Sequence, residues 1–249
     1  HELILSEVRR SASIRISKLA RRIGVAGETI RRDLIELGEA GLINRTYGGA
    51  TISLVTSEPV ITERGLTMVE ERARIGRGAA GLIEKGSIVM IDGGSTTYEV
   101  ARSLSQHGRD LTIITNSIGV ASVAGANPGF RVILCPGTYD SREAAVLGED
   151  TVEFVRRYNA DVAIIGATAL NAEGPSDMIS GAAAVKRAMM RRSLSTMLVV
   201  TNDKFGRSGL ERVCALNEIS DVVTDSEPEA GLRAAIDEAG GELHVFSAG

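Results

Sequence analysis

Seven short apolar runs, SIVMID, LTIIT, RVILC, DVAIIG, TMLVVT, DVVTD and ELHVF, are spread between residues 87 and 246. They are rich in valine and isoleucine and mostly continuous. A strand with one wet face alternates apolar and polar residues, whereas a continuous run of this length suits a strand covered on both faces. Helix-like stretches lie between most of them, at 96–106, 117–125, 149–158, 181–192 and 229–239. Such alternation leaves few folds open and predicts an α/β body with a mainly parallel sheet and helices on both sides.

The first fifty residues follow another rhythm. Leu3, Ile4 and Val8 recur at helical spacing, as do Ile16, Leu19, Ala20 and Ile23. Ser17 is the expected cap of this second helix, and Gly24 its expected left-handed stop. A turn of about three or four residues follows. A third helix is expected from Gly27 to Ala40, with Ile30, Leu34, Ile35 and Leu37 apolar and Gly41 ending it. LINRTYGGATI then reads as two short strands around Gly48-Gly49. Three helices and a hairpin make a winged unit. We place it at residues 1–53, a linker at 54–67, and the α/β domain at 68–249.

Net charge is −4 over 249 residues, so the chain is not basic throughout. Residues 1–50 nevertheless hold nine basic and six acidic side chains, a surplus of three positive charges, which leaves −7 for the remainder. Such asymmetry hints at an anionic partner for the N-terminal unit. Cys135 and Cys214 lie far apart in strand-like runs and read as reduced core thiols. The three histidines, His1, His107 and His244, are scattered, so no metal site is expected. No apolar run approaches the roughly 18 residues of a membrane span, and no signal peptide is visible. The expected location is the cytoplasm, at the nucleoid, without a membrane partner.

In a helix–turn–helix the second helix enters the major groove N-terminus first. Here that end carries Gly27, Glu28, Thr29, Arg31 and Arg32. With Ile30, Leu34 and Leu37 facing the core, Thr29 and Arg32 share an outward face and Arg31 lies at its edge. Arginine suits guanine O6/N7, and threonine a thymine methyl or a phosphate. Lys18, Arg21 and Arg22 on the preceding helix and Arg45 and Tyr47 in the hairpin are candidates for the flanking backbone. Periodicity alone also allows a solvated helical face.

The stretch ETIRRDLIELGEAGLINRTYGGA resembles the DNA-binding signature of DeoR-type bacterial transcriptional repressors, which runs V-S-x-x-T-I-R-R-D-L, then L-x-x-x-G-L, then R-x-x-G-G-A. Val25, Thr29, Ile30, Arg31, Arg32, Asp33, Leu34, Leu37, Gly41, Leu42, Arg45, Gly48, Gly49 and Ala50 match it. Ala26 departs from it, standing where the resemblance implies a helix-capping serine. A missing cap costs about 1 kcal/mol.

In the larger domain the strongest chemical signal is MIDGGSTTYEVA. An apolar strand ends at Asp92, and Gly93, Gly94, Ser95, Thr96 and Thr97 turn into a helix. Glycines allow close approach, hydroxyls donate, and a helix N-terminus favours an anion. The turn is neither a P-loop nor a dinucleotide fingerprint, so no cofactor is expected. Other strands end in Thr115-Asn116-Ser117, near Gly137 and Tyr139, near Gly166 and Thr168, and in Asn202-Asp203-Lys204. In an open α/β sheet the ligand site lies beyond the carboxyl ends of the strands.

This domain, too, is similar to the DeoR-type sensor, through D-x-G-S-T-T, T-N-S, the K-F segment and the VKRAMM helix. The resemblance extends to the sugar-phosphate isomerase and glucosamine-phosphate deaminase fold group. It implies a pocket for a phosphorylated sugar or polyol, with Ser95, Thr96 and Thr97 on the phosphate and Asp92, Asn116 and Lys204 on hydroxyls or charge. Cys135-Pro136-Gly137 and ATALNAEGPSD depart from the family pattern. The expected protein is a repressor of carbohydrate or polyol genes, a homodimer or homotetramer that binds operator DNA. The alternative is a sugar-phosphate isomerase or deaminase with an appended winged helix, using Asp92 or Asp203 as base.

Overall fold

The computed structural model describes residues 1–11, 13–39, 43–46, 48–52, 61–107 and 110–248. The N-terminal unit contains α1 (Glu2–Ser11), β1 (Ser13–Arg15), α2 (Ile16–Ile23), α3 (Gly27–Glu39), β2 (Ile43–Thr46) and β3 (Gly49–Ile52). The apolar positions at helical spacing make one core, with Ile4, Val8, Leu19, Ile30, Leu34 and Leu37 buried together with Ile43 and Ala50. Gly24 ends α2 in the left-handed conformation (φ 79°), its N–H donating to the carbonyl of Ala20. Ser17 is not the cap of that helix, because Arg15 occupies the N-cap position and gives no side-chain hydrogen bond. Gly41, the expected stop of α3, lies outside the described residues.

Strand β1 was not foreseen. It is three residues long and joins the wing in the order β1-β3-β2. Its register sets Arg15 opposite Gly49. A Cβ on Gly49 would lie 2.2 Å from the carbonyl oxygen of Ile14. Gly49 is therefore needed for close approach, while the left-handed backbone of the turn falls on Gly48 (φ 90°).

The second unit opens with α4 (Ile61–Arg64) and α5 (Val69–Gly81). There follow β4 (Ile88–Ile91), α6 (Ser95–His107), β5 (Thr112–Thr115), α7 (Ile118–Ala124), β6 (Arg131–Leu134), β7 (Thr138–Asp140), β8 (Ala145–Leu147) and α8 (Glu149–Val155). After β9 (Ala160–Ile165) come β10 (Ala169–Asn171), β11 (Gly174–Asp177), α9 (Ser180–Arg191), β12 (Ser193–Val199), β13 (Glu211–Arg212), β14 (Asp221–Thr224), α10 (Ala230–Glu238) and β15 (Glu242–Val245). The seven apolar runs are the seven strands of one sheet, ordered β15-β14-β12-β9-β4-β5-β6. Every pairing in it is parallel.

Both faces of this sheet are covered, which explains the continuous runs. Val89 and Ile91 pack with α5, α6 and α7, and Met90 between them packs on the other face with α9. From β4 the chain moves outward to β5 and β6, then returns to β9 on the opposite side of β4. The order thus reverses between β4 and β9. That is the switch point at which open α/β sheets place ligands.

Gly49→Ala forces the wing away from β1 and should destabilise the N-terminal unit by about 1–3 kcal/mol. Hydrogen exchange should accelerate at residues 13–15 and 49–52 while the α/β body keeps its thermal midpoint. Unchanged exchange in the wing would refute the close-approach account.

Candidate functional site

Asp92 directly follows β4, and Gly93-Gly94 turn the chain into α6. The carbonyl of Gly94 accepts the hydroxyl of Thr97 (3.0 Å) and the N–H of Tyr98 (3.0 Å), closing the first turn. The opening amides of any helix lack partners within it and carry its positive dipole end. Gly93, Gly94, Ser95, Thr96 and Thr97 all line one cavity. The ends of β9 and β12 supply Thr168, Thr201 and Lys204 to the same walls. Lys204 is held in place through Asn202, whose main-chain and side-chain N–H groups both donate to buried Asp225 at 2.8 Å.

Below the cradle sits a buried trio. Nζ of Lys186, on α9, lies 2.5 Å from Oδ2 of Asp177 and 3.0 Å from Oδ2 of Asp92. All three residues are buried. Burial alone would lower the lysine's pKa, but the charges of Asp177 and Asp92 outweigh it and hold the ammonium protonated. Asp177 is opposed by burial too, yet Lys186 and the N–H groups of Met178 and Ile179 keep its pKa below the usual carboxylate value. Among the described residues Asp92 receives only the N–H of Gly166 (3.2 Å) besides Lys186. Burial dominates there and pushes its pKa up to about 6.

Several expected pocket residues are placed elsewhere. Asp92 is buried behind the cradle and does not line the cavity. Thr115 accepts the N–H of Ser117, and Asn116 donates to the carbonyl of Val146 (3.0 Å), clamping β5 to β8. Ser117 caps α7 and lines a second, adjacent cavity. Gly137 (φ 150°) lets the chain pass Thr151, whose Oγ1 would lie 2.1 Å from a Cβ there. Tyr139 is on β7 and exposed. Gly93, Gly94, Ser95, Thr96, Thr97 and Lys204 do converge.

The pocket also takes residues that the sequence did not single out as site residues. Arg64, Arg72, Glu143 and Asp177 line it. Arg64 and Arg72 flank the end of the expected linker, where charge reads as solvation. At the opposite end of the sheet, adjacent β14 and β15 bring Nε2 of His244 within 2.9 Å of Asp221, although the histidines are scattered in sequence. Cys135 and Cys214 are buried, and burial pushes each thiol up to about 12.

On the N-terminal unit, Lys18, Arg21, Arg22, Glu28, Arg31 and Arg32 are exposed, and Gly27 and Thr29 are half-buried. Arg22 pairs with Glu7 of α1, and Arg31 with Glu28 at 2.5 Å. Among the described residues Lys18, Arg21 and Arg32 enter no ion pair. The side chain of Arg45 and all of Tyr47 lie outside the described residues.

The DeoR-like helix-turn-helix domain model matches residues 1–54, and the DeoR C-terminal sensor domain model matches residues 67–226. The chain belongs to the DeoR family. The glycerol-3-phosphate regulon repressor of Escherichia coli strain K12 is 33% identical over 233 residues, covering 93% of this chain and 92% of that protein. The HTH-type transcriptional repressor GlcR of Bacillus subtilis strain 168 is 30% identical over 243 residues, covering 97% and 93%. Among solved structures, ribose 5-phosphate isomerase A from Methanocaldococcus jannaschii aligns with TM-score 0.43 and 14% identity, over 56% of this chain and 55% of that one. In this DeoR-family chain no helix among the described residues is long and apolar enough to cross a membrane.

The trio sets a pH signature for this DeoR-family sensor. A pKa raised on folding means that the fold disfavours ionised Asp92. Its contribution is full below about pH 4 and falls as pH rises through about 6, by roughly 3 kcal/mol. Asp92→Asn lacks this component, so its stability relative to the unsubstituted protein should rise between pH 4 and 6.5. Parallel denaturation profiles for the two proteins across that range would contradict it.

Proposed function

We propose that the protein is a ligand-controlled transcriptional repressor of carbohydrate or polyol genes, acting in the cytoplasm at the nucleoid. In this reading residues 1–53 bind operator DNA, 54–67 connect, and 68–249 sense a phosphorylated sugar or polyol and join copies into a homodimer or homotetramer. The carrying observation is that one chain joins a DeoR-like helix-turn-helix to a sensor whose α6 N-terminus opens into a polar pocket at the sheet's switch point. The names of the relatives, repressors that include one for a glycerol-3-phosphate regulon, support the class of genes and effector.

For DNA, α3 lies in the major groove with Gly27, Glu28, Thr29, Arg31 and Arg32 at the bases. Lys18, Arg21, Arg22, Arg45 and Tyr47 reach the backbone. Arg32 is the foremost base reader, since it is exposed and enters no ion pair among the described residues, whereas Arg31 must first leave Glu28. Ala26 leaves the start of α3 without a side-chain cap, so a DNA phosphate is suited to complete that end.

Binding without turnover is the reading we favour for the pocket. An isomerase needs a base that faces substrate. Asp92 is sealed behind the cradle, and the two acids that do line it are each held in an ion pair, Asp177 with Lys186 and Glu143 with Arg64. A weak base locked in an ion pair is poorly suited to proton abstraction.

Two experiments separate the parts. With a duplex selected from a random pool, Arg32→Ala should weaken specific binding by about 1–3 kcal/mol and leave non-specific binding nearly unchanged. Equal losses on both duplexes, read by fluorescence anisotropy, would make Arg32 a phosphate contact. Ser95→Ala combined with Thr96→Ala should abolish the response of DNA binding to sugar and polyol phosphates without weakening DNA binding itself. An intact response in a gel-shift titration would remove α6 from the effector site.

A further inference from the structure

Arg64 reaches the cradle from outside the sheet. It is the last residue of α4, the short turn that follows residues 53–60. Its side chain is about nine-tenths buried, and Nη2 lies 2.6 Å from Oε2 of Glu143, which is buried to a similar degree. Both residues line the same cavity as Gly93–Thr97. Thus a guanidinium and a carboxylate are paired in a pocket whose other wall is the positive end of α6.

The seat of Arg64 is built from both sides. The N–H of Ile61 donates to the carbonyl of Arg142 (2.8 Å), tying α4 to the loop that carries Glu143. Arg72 of α5 donates to the carbonyls of Arg64 and Thr67, holding the turn between α4 and α5. Little room is left in this arrangement. The cradle cavity is about 30 Å³, enough for only about two water molecules. The adjoining cavity, which shares Ser95 and Arg72, is about 220 Å³ and takes Ile61, Gly65 and Val69 from the same segment.

We propose that Arg64 is a ligand of the effector's anionic group and that it is bound in competition with Glu143. Occupancy of the pocket is then coupled to the seating of the segment between the two domains. This rests on reading the α6 cradle as the effector's anion site. A phosphate monoester carries more charge than a carboxylate and accepts a guanidinium fork bidentately. It also repels the Glu143 carboxylate from the mouth of the helix. Expulsion of Glu143 supplies the volume that the cradle lacks and releases the loop to which Ile61 is bonded. The adjoining cavity, walled by that segment, then accommodates the carbon skeleton.

The test is calorimetric titration of the full chain with inorganic phosphate, in phosphate-free buffer, together with hydrogen exchange at residues 61–67. Glu143→Gln should bind phosphate about tenfold more tightly and Arg64→Gln about tenfold more weakly. Phosphate should change exchange at 61–67 in the unsubstituted protein but not in Arg64→Gln. Detectable binding only by Glu143→Gln also supports the proposal. If both variants stay within about twofold of the unsubstituted protein while Ser95→Ala with Thr96→Ala loses binding, the proposal fails and the cradle stands. If that double variant binds as before, or if no form binds, the cradle reading fails and the proposal with it. Should Arg64→Gln not fold, Glu143→Gln decides alone, and unchanged affinity overturns the proposal.

Discussion

One buried ammonium shared by two buried carboxylates holds the centre of this protein in register. Asp92 directly follows β4, Asp177 belongs to β11 and Lys186 to α9. Removing one partner of such a group leaves a buried charge uncompensated, at a cost of about 3–5 kcal/mol. Asp92 also accepts the N–H of Gly166, so the trio ties the end of β4 to the end of β9 where the sheet reverses its order. The Gly93–Thr97 turn is built directly on that tie. With both acids ionised the trio is net negative, which opposes an anion above it. The raised pKa of Asp92 moderates this, because near pH 6 that carboxylate is partly neutral.

The strands were legible because burial on both faces leaves a mark that needs no knowledge of neighbours. Val89, Met90 and Ile91 are all apolar since consecutive side chains meet different helices. The cradle was legible for a local reason as well, since glycines and hydroxyls at a strand–helix turn carry their chemistry within a few residues. β1 was not, because three residues paired to a distant strand show no period. Its trace was Gly49, whose need for space against Ile14 is visible only once the wing is folded.

The expected residues that do not line the cradle cavity share one cause. Thr115, Asn116, Gly137 and Tyr139 stand at or near strand ends, and polarity there serves either a ligand or the chain itself. Asn116 serves the chain, by bonding to Val146 across to β8. Glu143 lies in the β7–β8 turn and Arg64 before α5, each in a charged stretch without periodicity. Only tertiary structure brings them to 2.6 Å from each other. Local sequence reports the chemistry of a turn, whereas long-range ion pairs at the same site leave no local signature.

That placement bears on how a sensor of this build can regulate at all. A ligand shifts an equilibrium only by its difference in affinity between two arrangements. A pocket made solely from the rigid sheet and α6 would bind the effector equally well wherever the connecting segment lay, and would transmit nothing. Here Ile61, Arg64, Gly65 and Val69, from the segment leading into α5, form walls of the two adjoining cavities. If the effector binds as proposed, differential affinity follows, since the groups that meet it include groups that must move if the segment moves. Allosteric couplings of about 1–3 kcal/mol are typical. Truncating one partner of a buried ion pair costs about 2–5 kcal/mol, so under that proposal a change at the Arg64–Glu143 pair is of the size such a coupling requires.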